Sequence, residues 1–333
     1  MDAKRGTLWW KILLWLLPAA FLLVFFYQPL AAILRLAFSK PLAGPEQSAA
    51  LGLTANTFAF TLGQALLSVL LTLLVGLPAA YLFSHFEFAG RKLLRLTALL
   101  PFILPTVVTA VCFNTLLGPR GWLNLGLMAL FKLTEPPVSM LDSLPAILLA
   151  HVFYNSSVII RIVGGAWSRL DRKLTQAAQM LGANSWRVFW EVTLPLLLPA
   201  IVGASLLVFL FDFTSFGVVL MLGGPRFATL EVEIYTQALY LFNLPLAGLL
   251  SLVQLVFTLL VAWLHSRLSQ PRYGKSALSA ERANLRRPKT RAEKAFTLVV
   301  VLVLAALTLL PLLSLVSRSV VSLSLIPISE PTR

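Results

Sequence analysis

Long apolar runs alternate with short polar stretches along most of this chain. Seven of the runs are long enough to cross a bilayer, which takes about 20 residues in a helix. They are Ile12–Leu36, Phe58–Phe83, Leu93–Leu117, Leu144–Val163, Leu196–Leu222, Pro245–Leu264 and Phe296–Val316. We predict a helix for each run, because a helix satisfies its own backbone hydrogen bonds in lipid. The pattern therefore predicts an all-α, polytopic membrane protein, a bundle of about seven membrane helices.

Composition agrees with this pattern and excludes several other classes of protein. Of the 333 residues, 58% are hydrophobic and 12% are charged, a balance that a soluble domain does not need. The net charge of +14 would suit nucleic acid, but Lys and Arg cluster between the apolar runs. We therefore expect membrane lipid, and no nucleic acid, as the partner of the basic segments. The single cysteine, Cys112, excludes a disulfide within the chain.

The distribution of Lys and Arg predicts an orientation. If the N-terminus is cytoplasmic, the inner segments hold the basic clusters at 91–95, 169–187 and 267–294. The outer segments then hold Lys40, Arg120, Lys132 and Arg226. Cytoplasmic loops are the more positive ones in membrane proteins, so we predict a cytoplasmic N-terminus. The first run shows no clear cleavage site, which favours an uncleaved membrane helix over a signal peptide.

The polar stretch between the fourth and fifth runs predicts a helix–turn–helix on the cytoplasmic side. Asp171 is a candidate N-cap for a helix over Arg172–Leu181. Gly182 fits the left-handed position that follows a helix. Asn184 or Ser185 could cap a second short helix, Trp186–Val192, before the next membrane helix begins at Pro195.

A motif lies within this stretch. It reads Gln176-Ala177-Ala178, three residues, Gly182, nine residues, and Val192-Thr193-Leu194-Pro195. The spacing resembles the EAA signature of the inner-membrane permeases of bacterial ABC importers, with Gln176 in place of Glu and Val192 in place of Ile. An ordinary amphipathic loop pressed against lipid headgroups is the alternative.

The resemblance implies a fold, a function and partners. The fold would be that of a type I ABC-importer permease in the bacterial inner membrane. A separate ABC ATPase would dock on the loop, and a periplasmic or lipid-anchored solute-binding protein would deliver the solute. The residues implied in coupling are Gln176, Ala177, Ala178, Gly182, Val192, Leu194 and Pro195. The chain itself would be a transport subunit and not an enzyme, with no metal or cofactor.

A second set of residues narrows the resemblance. Asp212-Phe213, Leu222-Gly223-Gly224-Pro225 and the segment Thr229–Tyr240 resemble the ferric-iron and thiamine importer permeases. This implies an outer turn followed by an amphipathic helix where the binding protein could sit. The candidate contacts are Gly223, Gly224, Pro225, Glu231 and Tyr235, and a plain interfacial helix is the alternative. Sulfate, phosphonate and polyamine remain possible solutes, because the coupling motif is common to those importers.

Several polar side chains fall inside the predicted membrane helices. They are His151, Asn155, Asp212, Thr214 and Ser215. A carboxyl group in lipid is costly, so Asp212 is expected either to line a translocation path or to join helices by a hydrogen bond. A proton relay through Asp212 and His151 would instead suit an ion-driven secondary transporter, the rival function. A membrane-anchored scaffold is a third possibility.

The predicted organisation has four parts. Residues 1–56 form the first membrane helix and an outer loop, and 57–265 form the permease core with a coupling loop at 167–195. A basic cytoplasmic linker covers 266–295. Residues 296–333 hold a seventh membrane helix, which we interpret as the start of a truncated second half. The fused importer permeases have two such halves, so the core is expected to pair with a second half or with a second copy.

Overall fold

The computed structural model of the chain describes residues 14–38, 45–269 and 285–324. The start of the first predicted run at Ile12, half of the basic linker at 266–295 and the tail Leu325–Arg333 lie outside these ranges. Within them the chain is helical and forms no β-strand. Six helices are long and apolar enough to cross a membrane, and a bent pair raises the number to seven. The prediction of an all-α membrane protein with about seven spans is confirmed.

The helices are numbered here in chain order. They are α1 Leu14–Ala37, α2 Pro45–His85, α3 Arg91–Leu99, α4 Thr106–Leu117, α5 Trp122–Phe131, α6 Leu144–Ser168, α7 Arg172–Met180, α8 Ser185–Val188, α9 Leu194–Phe213, α10 Gly217–Leu222, α11 Leu230–Tyr235, α12 Leu244–Leu268 and α13 Arg291–Ser324.

The prediction of one helix over Leu93–Leu117 is wrong, because the segment is broken in two. A 3₁₀ turn at Leu100–Ile103 follows α3, and α4 then begins in a new direction, with a bend of 113°. Leu104 is extended, with ψ 141°, because the ring of Pro105 crowds the residue before it out of the helical conformation. The chain is therefore redirected between α3 and α4.

The predicted helix Leu196–Leu222 is also wrong at both ends. It ends early at Phe213, and α10 begins only at Gly217. At its start, α8 does not stop before Pro195 as predicted. It continues through a π turn, Phe189–Thr193, directly into α9, so that Ser185–Phe213 is one helical run of 29 residues. The wide turn accommodates Pro195, which has no N–H to donate and whose ring needs room.

The described chain divides into two compact units. One contains α1, the first part of α2, α11 and most of α12. In this unit α1 and α12 approach closely at Gly248, where an added Cβ would stand 3.0 Å from the Ala37 nitrogen. The rings of Phe58 and Phe257 meet edge to face at 5.1 Å. Small residues and aromatic pairs are the usual packing elements of membrane helices.

The other unit contains the rest of α2 together with α3 to α10, the end of α12, and α13. Helix α6 lies at its centre and has the largest share of buried residues among the spans. It approaches α2 closely at two points. A Cβ on Gly76 would stand 2.7 Å from the Ile159 side chain, and one on Gly164 would stand 3.6 Å from Ala80. Glycine at these positions lets the two backbones pack together.

Helix α13 packs onto the same unit through an apolar cluster. Val300 and Leu304 lie among buried residues of α2, α3 and α6 that include Leu82, Leu94 and Ile160. The start of α13 is fixed by a capping box. The Glu293 N–H donates to Thr290 Oγ1 at 3.2 Å, and Glu293 Oε2 accepts from the Thr290 N–H at 3.3 Å.

Candidate functional site

The segment Asp171–Pro195 forms the predicted helix–turn–helix. The Asp171 side chain caps α7 by accepting from the Lys173 N–H at 2.9 Å. At the other end Gly182 is left-handed, with φ +87°. The Gly182 N–H donates to the Gln179 carbonyl at 3.0 Å, and the Ala183 N–H donates to the Ala178 carbonyl at 3.1 Å. This pair of bonds is a Schellman motif, which ends a helix and reverses the chain.

The second half of the segment is capped by Asn184 rather than Ser185. Asn184 Oδ1 accepts from the Arg187 N–H at 2.8 Å, which starts α8. Arg187 also pairs with Glu191 at 2.9 Å, but both side chains are exposed and such a pair contributes little to stability. The two caps and the glycine turn therefore determine the local geometry.

The apex of the turn presents apolar side chains outward. Met180 and Leu181 are each 89% exposed, and Leu174, Trp186 and Trp190 are exposed as well. Among the motif residues, Gln176, Ala177, Gly182 and Pro195 are exposed, whereas Ala178, Val192 and Leu194 are half-buried. Several exposed apolar side chains on a polar segment between two membrane helices are typical of an interaction site.

A buried polar cluster joins three membrane helices around Asp212, which is 1% exposed. Asn155 Nδ2 donates to Asp212 Oδ1 at 2.6 Å, and His151 Nδ1 lies 3.3 Å from the same oxygen. His151 Nε2 shares a hydrogen bond of 2.9 Å with the Ser215 hydroxyl. The structure thus brings together four of the five predicted path residues. The fifth, Thr214, is half-buried and donates to the Leu210 carbonyl of its own helix at 2.8 Å.

Helix α2 contributes two further members of this cluster, Gln64 and Ser68, which were not among the residues predicted for the path. Gln64 Nε2 donates to the Asp212 carbonyl at 2.9 Å, and the same carbonyl accepts from the Ser215 N–H at 3.3 Å. The Ser68 hydroxyl lies beside the Asp212 carboxyl group. The signal that could have indicated them is a polar stripe on α2, whose members are all buried at spacings of three or four: Thr61, Gln64, Ser68 and Thr72.

The predicted outer turn is built from two glycines. Gly224 has φ +60°, and a Cβ there would stand 2.9 Å from the Asp142 side chain. A Cβ on Gly223 would stand 2.7 Å from the Val219 carbonyl oxygen. Both positions therefore require glycine, and a 3₁₀ turn, Pro225–Phe227, follows them.

The predicted helix Thr229–Tyr240 forms as α11 followed by a π turn, Thr236–Tyr240. Glu231 faces α12, where it accepts from Gln254 Nε2 at 2.5 Å. Burial raises the pKa of the Glu231 carboxyl group, and the bond from Gln254 lowers it in part. Tyr235 is half-buried, with its hydroxyl 3.4 Å from that of Tyr240. Of the predicted binding-protein contacts, Glu231 is thus directed toward a neighbouring helix.

The known proteins that this chain resembles are subunits of membrane transport systems. The chain is 32% identical over 270 residues to the thiamine transport system permease protein ThiP of Haemophilus influenzae, covering 81% of this chain and 49% of that protein. It therefore spans about half the length of this relative. It is 30% identical over 278 residues to the 2-aminoethylphosphonate transport system permease protein PhnU of Salmonella typhimurium, covering 78% of this chain and 93% of that one.

Among solved structures, one chain of a bacterial alginate ABC transporter bound to its periplasmic protein matches with a TM-score of 0.64. The identity is 21%, and the match covers 81% of this chain and 96% of that one. This likeness supports the fold. The model of the family described as "Binding-protein-dependent transport system inner membrane component" matches residues 72–272, more than half of the chain. The capped helix–turn–helix and the part of the buried cluster formed by His151, Asn155, Asp212 and Ser215 lie within that match, and the chain belongs to this family of membrane permeases.

Proposed function

We propose that this chain is a permease subunit of an ATP-driven ABC importer, which moves a small solute into the cytoplasm. A separate ATPase would dock on the coupling segment, Asp171–Pro195, and a separate binding protein would deliver the solute from outside. A second permease half or a second copy would complete the channel. Family membership and the fold support this function, and so do the names of the relatives.

The observation on which this proposal rests is the exposed apex of the coupling segment. Met180 and Leu181 are apolar, almost fully exposed and held on a rigid turn by Gly182. Ala177 adds no bulk beside them, so another protein could approach the α7 backbone closely. The Lys and Arg distribution predicts that this face lies in the cytoplasm, where an ATPase is available. Apolar side chains presented in this way are suited to insertion into a cleft of a partner.

For the solute we propose thiamine first. The relatives named as thiamine permeases support it, and the PhnU relative keeps 2-aminoethylphosphonate as an alternative. A third relative, from Nephroselmis olivacea, is named as a sulfate transport system permease and is 28% identical over 210 residues. Ferric iron, which the sequence motifs also favoured, and polyamines have no such support among these relatives.

The buried cluster is proposed to act on the translocation path. Hydrogen bonds around Asp212 join α2, α6 and α9, so separating these helices would break the bonds in one step. Gln64 Oε1 and Asn155 Oδ1 are buried and have no protein partner among the described residues. Buried acceptors of this kind are costly to keep, which favours a role beyond simple packing. We infer that the cluster closes the path at rest and offers acceptors to a passing solute.

One observation fits the rival, ion-driven function. His151 Nδ1 and Asp212 Oδ1 lie 3.3 Å apart, slightly more than the direct hydrogen-bond distance at which a proton relay would work. The two functions differ in their energy source, so they are separated by uptake into sealed vesicles. Uptake that follows a proton gradient without ATP would favour the secondary transporter, and uptake that needs both ATP and an ATPase would favour the importer.

The docking proposal is tested by capture of the candidate ATPase on the complete permease. We expect Leu181→Lys to reduce capture strongly, because the charge would have to be buried in the partner. Deletion of Gln176–Leu181 should abolish capture. Leu133→Lys is the matched control, since Leu133 is also an exposed leucine but lies in a polar stretch outside the coupling segment. Equal capture by all variants would show that the ATPase docks elsewhere.

A further inference from the structure

Two cavities adjoin at the end of the bundle where α2 meets α7. The polar pocket has a volume of about 430 Å³ and is lined by the end of α2, by α7 and by Arg286. The apolar groove has a volume of about 390 Å³, and every residue that lines it is apolar or aromatic. Tyr81, Trp167 and Phe189 line both cavities, so the two are immediate neighbours.

The polar pocket contains one firmly positioned cation. The Arg286 N–H donates to the His85 carbonyl and the Arg286 carbonyl accepts from the Glu87 N–H, both at 3.0 Å. Its guanidinium group lies 5.0 Å from the centre of the Phe86 ring and donates to Glu293 at 2.6 Å. The bond to Glu293 raises the pKa of Arg286, so the guanidinium stays charged.

This guanidinium has donors to spare. Arginine carries five N–H groups, and one bond to Glu293 leaves others for a ligand. Its fork suits the geometry of a phosphate group, and neutral polar groups such as those of Gln176 and Gln179 line the same pocket. The pocket also includes the carboxylate of Asp171, which is engaged in capping α7 through the Lys173 N–H. The pocket is therefore chemically suited to a phosphate ester.

The polarity of the residues that line the two cavities changes in the same order as the polarity of a membrane interface. The lining changes from polar at Arg286, through Tyr81 and Trp167, to apolar at Leu197 and Ile201. Tyr and Trp are the side chains enriched at the boundary between headgroups and acyl chains. The predicted orientation places this end at the cytoplasmic leaflet, where basic pockets between helices bind lipid headgroups.

We propose that the two cavities together bind one glycerophospholipid of the cytoplasmic leaflet, with an acyl chain in the apolar groove and the phosphate beside Arg286. A soluble phosphate would use the pocket and leave the groove without a role, whereas a lipid uses both. The bound headgroup would contact Gln176 and Gln179, which links the bilayer to helix α7. This proposal depends on the cavities and holds whether or not an ATPase docks on the coupling segment.

The test is native mass spectrometry of the complete permease, after exchange into mixed micelles of phosphatidylethanolamine and phosphatidylglycerol. Arg286→Gln removes the cation, and Arg287→Gln is its control, because Arg287 is exposed and does not line the pocket. Ile201→Trp fills the groove, and Leu198→Trp is its control, because Leu198 is exposed and does not line the groove. We expect one retained lipid in wild type and in both controls, and at least a fivefold lower retention in both test variants.

Several results would overturn the proposal. Equal retention in all five proteins would do so, as would a loss in Arg287→Gln as large as in Arg286→Gln. Inorganic phosphate that competes fully with the lipid, together with no effect of Ile201→Trp, would show a simple anion site. The two test variants change opposite ends of the site. If only one of them elutes as a monodisperse, folded protein in size-exclusion chromatography, its lipid retention alone tests the proposal. ATPase capture by the same variants separates this proposal from the docking proposal.

Discussion

Gly182 allows a quantitative test of the coupling segment. Its φ of +87° is strained for any residue with a Cβ, and a Cβ there would meet no heavy atom within 4 Å. The cost of a substitution therefore comes from the backbone alone, about 1–2 kcal/mol for an ordinary residue. Asn tolerates the left-handed conformation better than Ala, and a β-branched residue tolerates it least. We predict that Gly182→Asn destabilises the turn least, Gly182→Ala more, and Gly182→Val most.

A loss of 1–2 kcal/mol changes the population of the native turn roughly 5–30-fold relative to the open form. If the ATPase binds only the native turn, its apparent Kd equals the intrinsic Kd divided by the fraction of molecules in which the turn is native. The assay is a binding isotherm of the purified ATPase on each variant in nanodiscs. We expect near wild-type affinity for Gly182→Asn and the largest loss for Gly182→Val. Equal losses for Asn and Val would refute the reasoning, because they would indicate a clash inside the dock instead of backbone strain.

Three further outcomes are expected. Gly76→Ala should lower Tm by overpacking α2 against α6, at a cost of about 1–3 kcal/mol. Gly63→Ala on the same helix is the control, because a Cβ there meets no atom within 4 Å, and it should be neutral or slightly stabilising. Thermal denaturation in detergent measures both. Asn155→Leu should cost roughly 1.5–3 kcal/mol, because it removes the donor to Asp212; an unchanged Tm would mean that this bond does not join the helices. Burial raises the pKa of the Glu231 carboxyl group above its ordinary 4.5, so above that pH the folded protein binds more protons at this group than the unfolded chain does. The stability of the fold should therefore fall as pH rises from about 4.5. Glu231→Gln should flatten that part of a Tm–pH profile.

The features that the sequence predicted well depend on local signals. Asp171 and Gly182 act on backbone groups within a few residues, so their roles as cap and turn could be read without tertiary information. The same is true of the apolar length that marks the spans. Which of Asn184 and Ser185 would cap α8 was open in the sequence, because both residue types accept the same bond.

The features that the sequence missed depend on neighbours in space. Pro78 stays inside the 41-residue helix α2, whereas Pro105 ends a helix and redirects the chain. The two prolines have the same local chemistry, so the packing around them decides the outcome. The spacing of His151 and Asn155 placed them on one face, but it could not indicate that Gln64, 148 residues before Asp212, would complete the cluster.

The uninterrupted run from Ser185 to Phe213 makes this part of the molecule a lever. Ser185 and Asp212 are separated by 27 residues, which at about 1.5 Å each is roughly 40 Å. Tilting a rod of that length by about 5° moves one end by roughly 3.5 Å, which is more than the 2.6 Å that joins Asn155 to Asp212. The helix continues through the π turn at Phe189–Thr193 and past Pro199, so a small tilt imposed beside Gly182 would be passed along the run toward the carboxyl group, and if the run does not bend at these two points the movement would be large enough to break its bond.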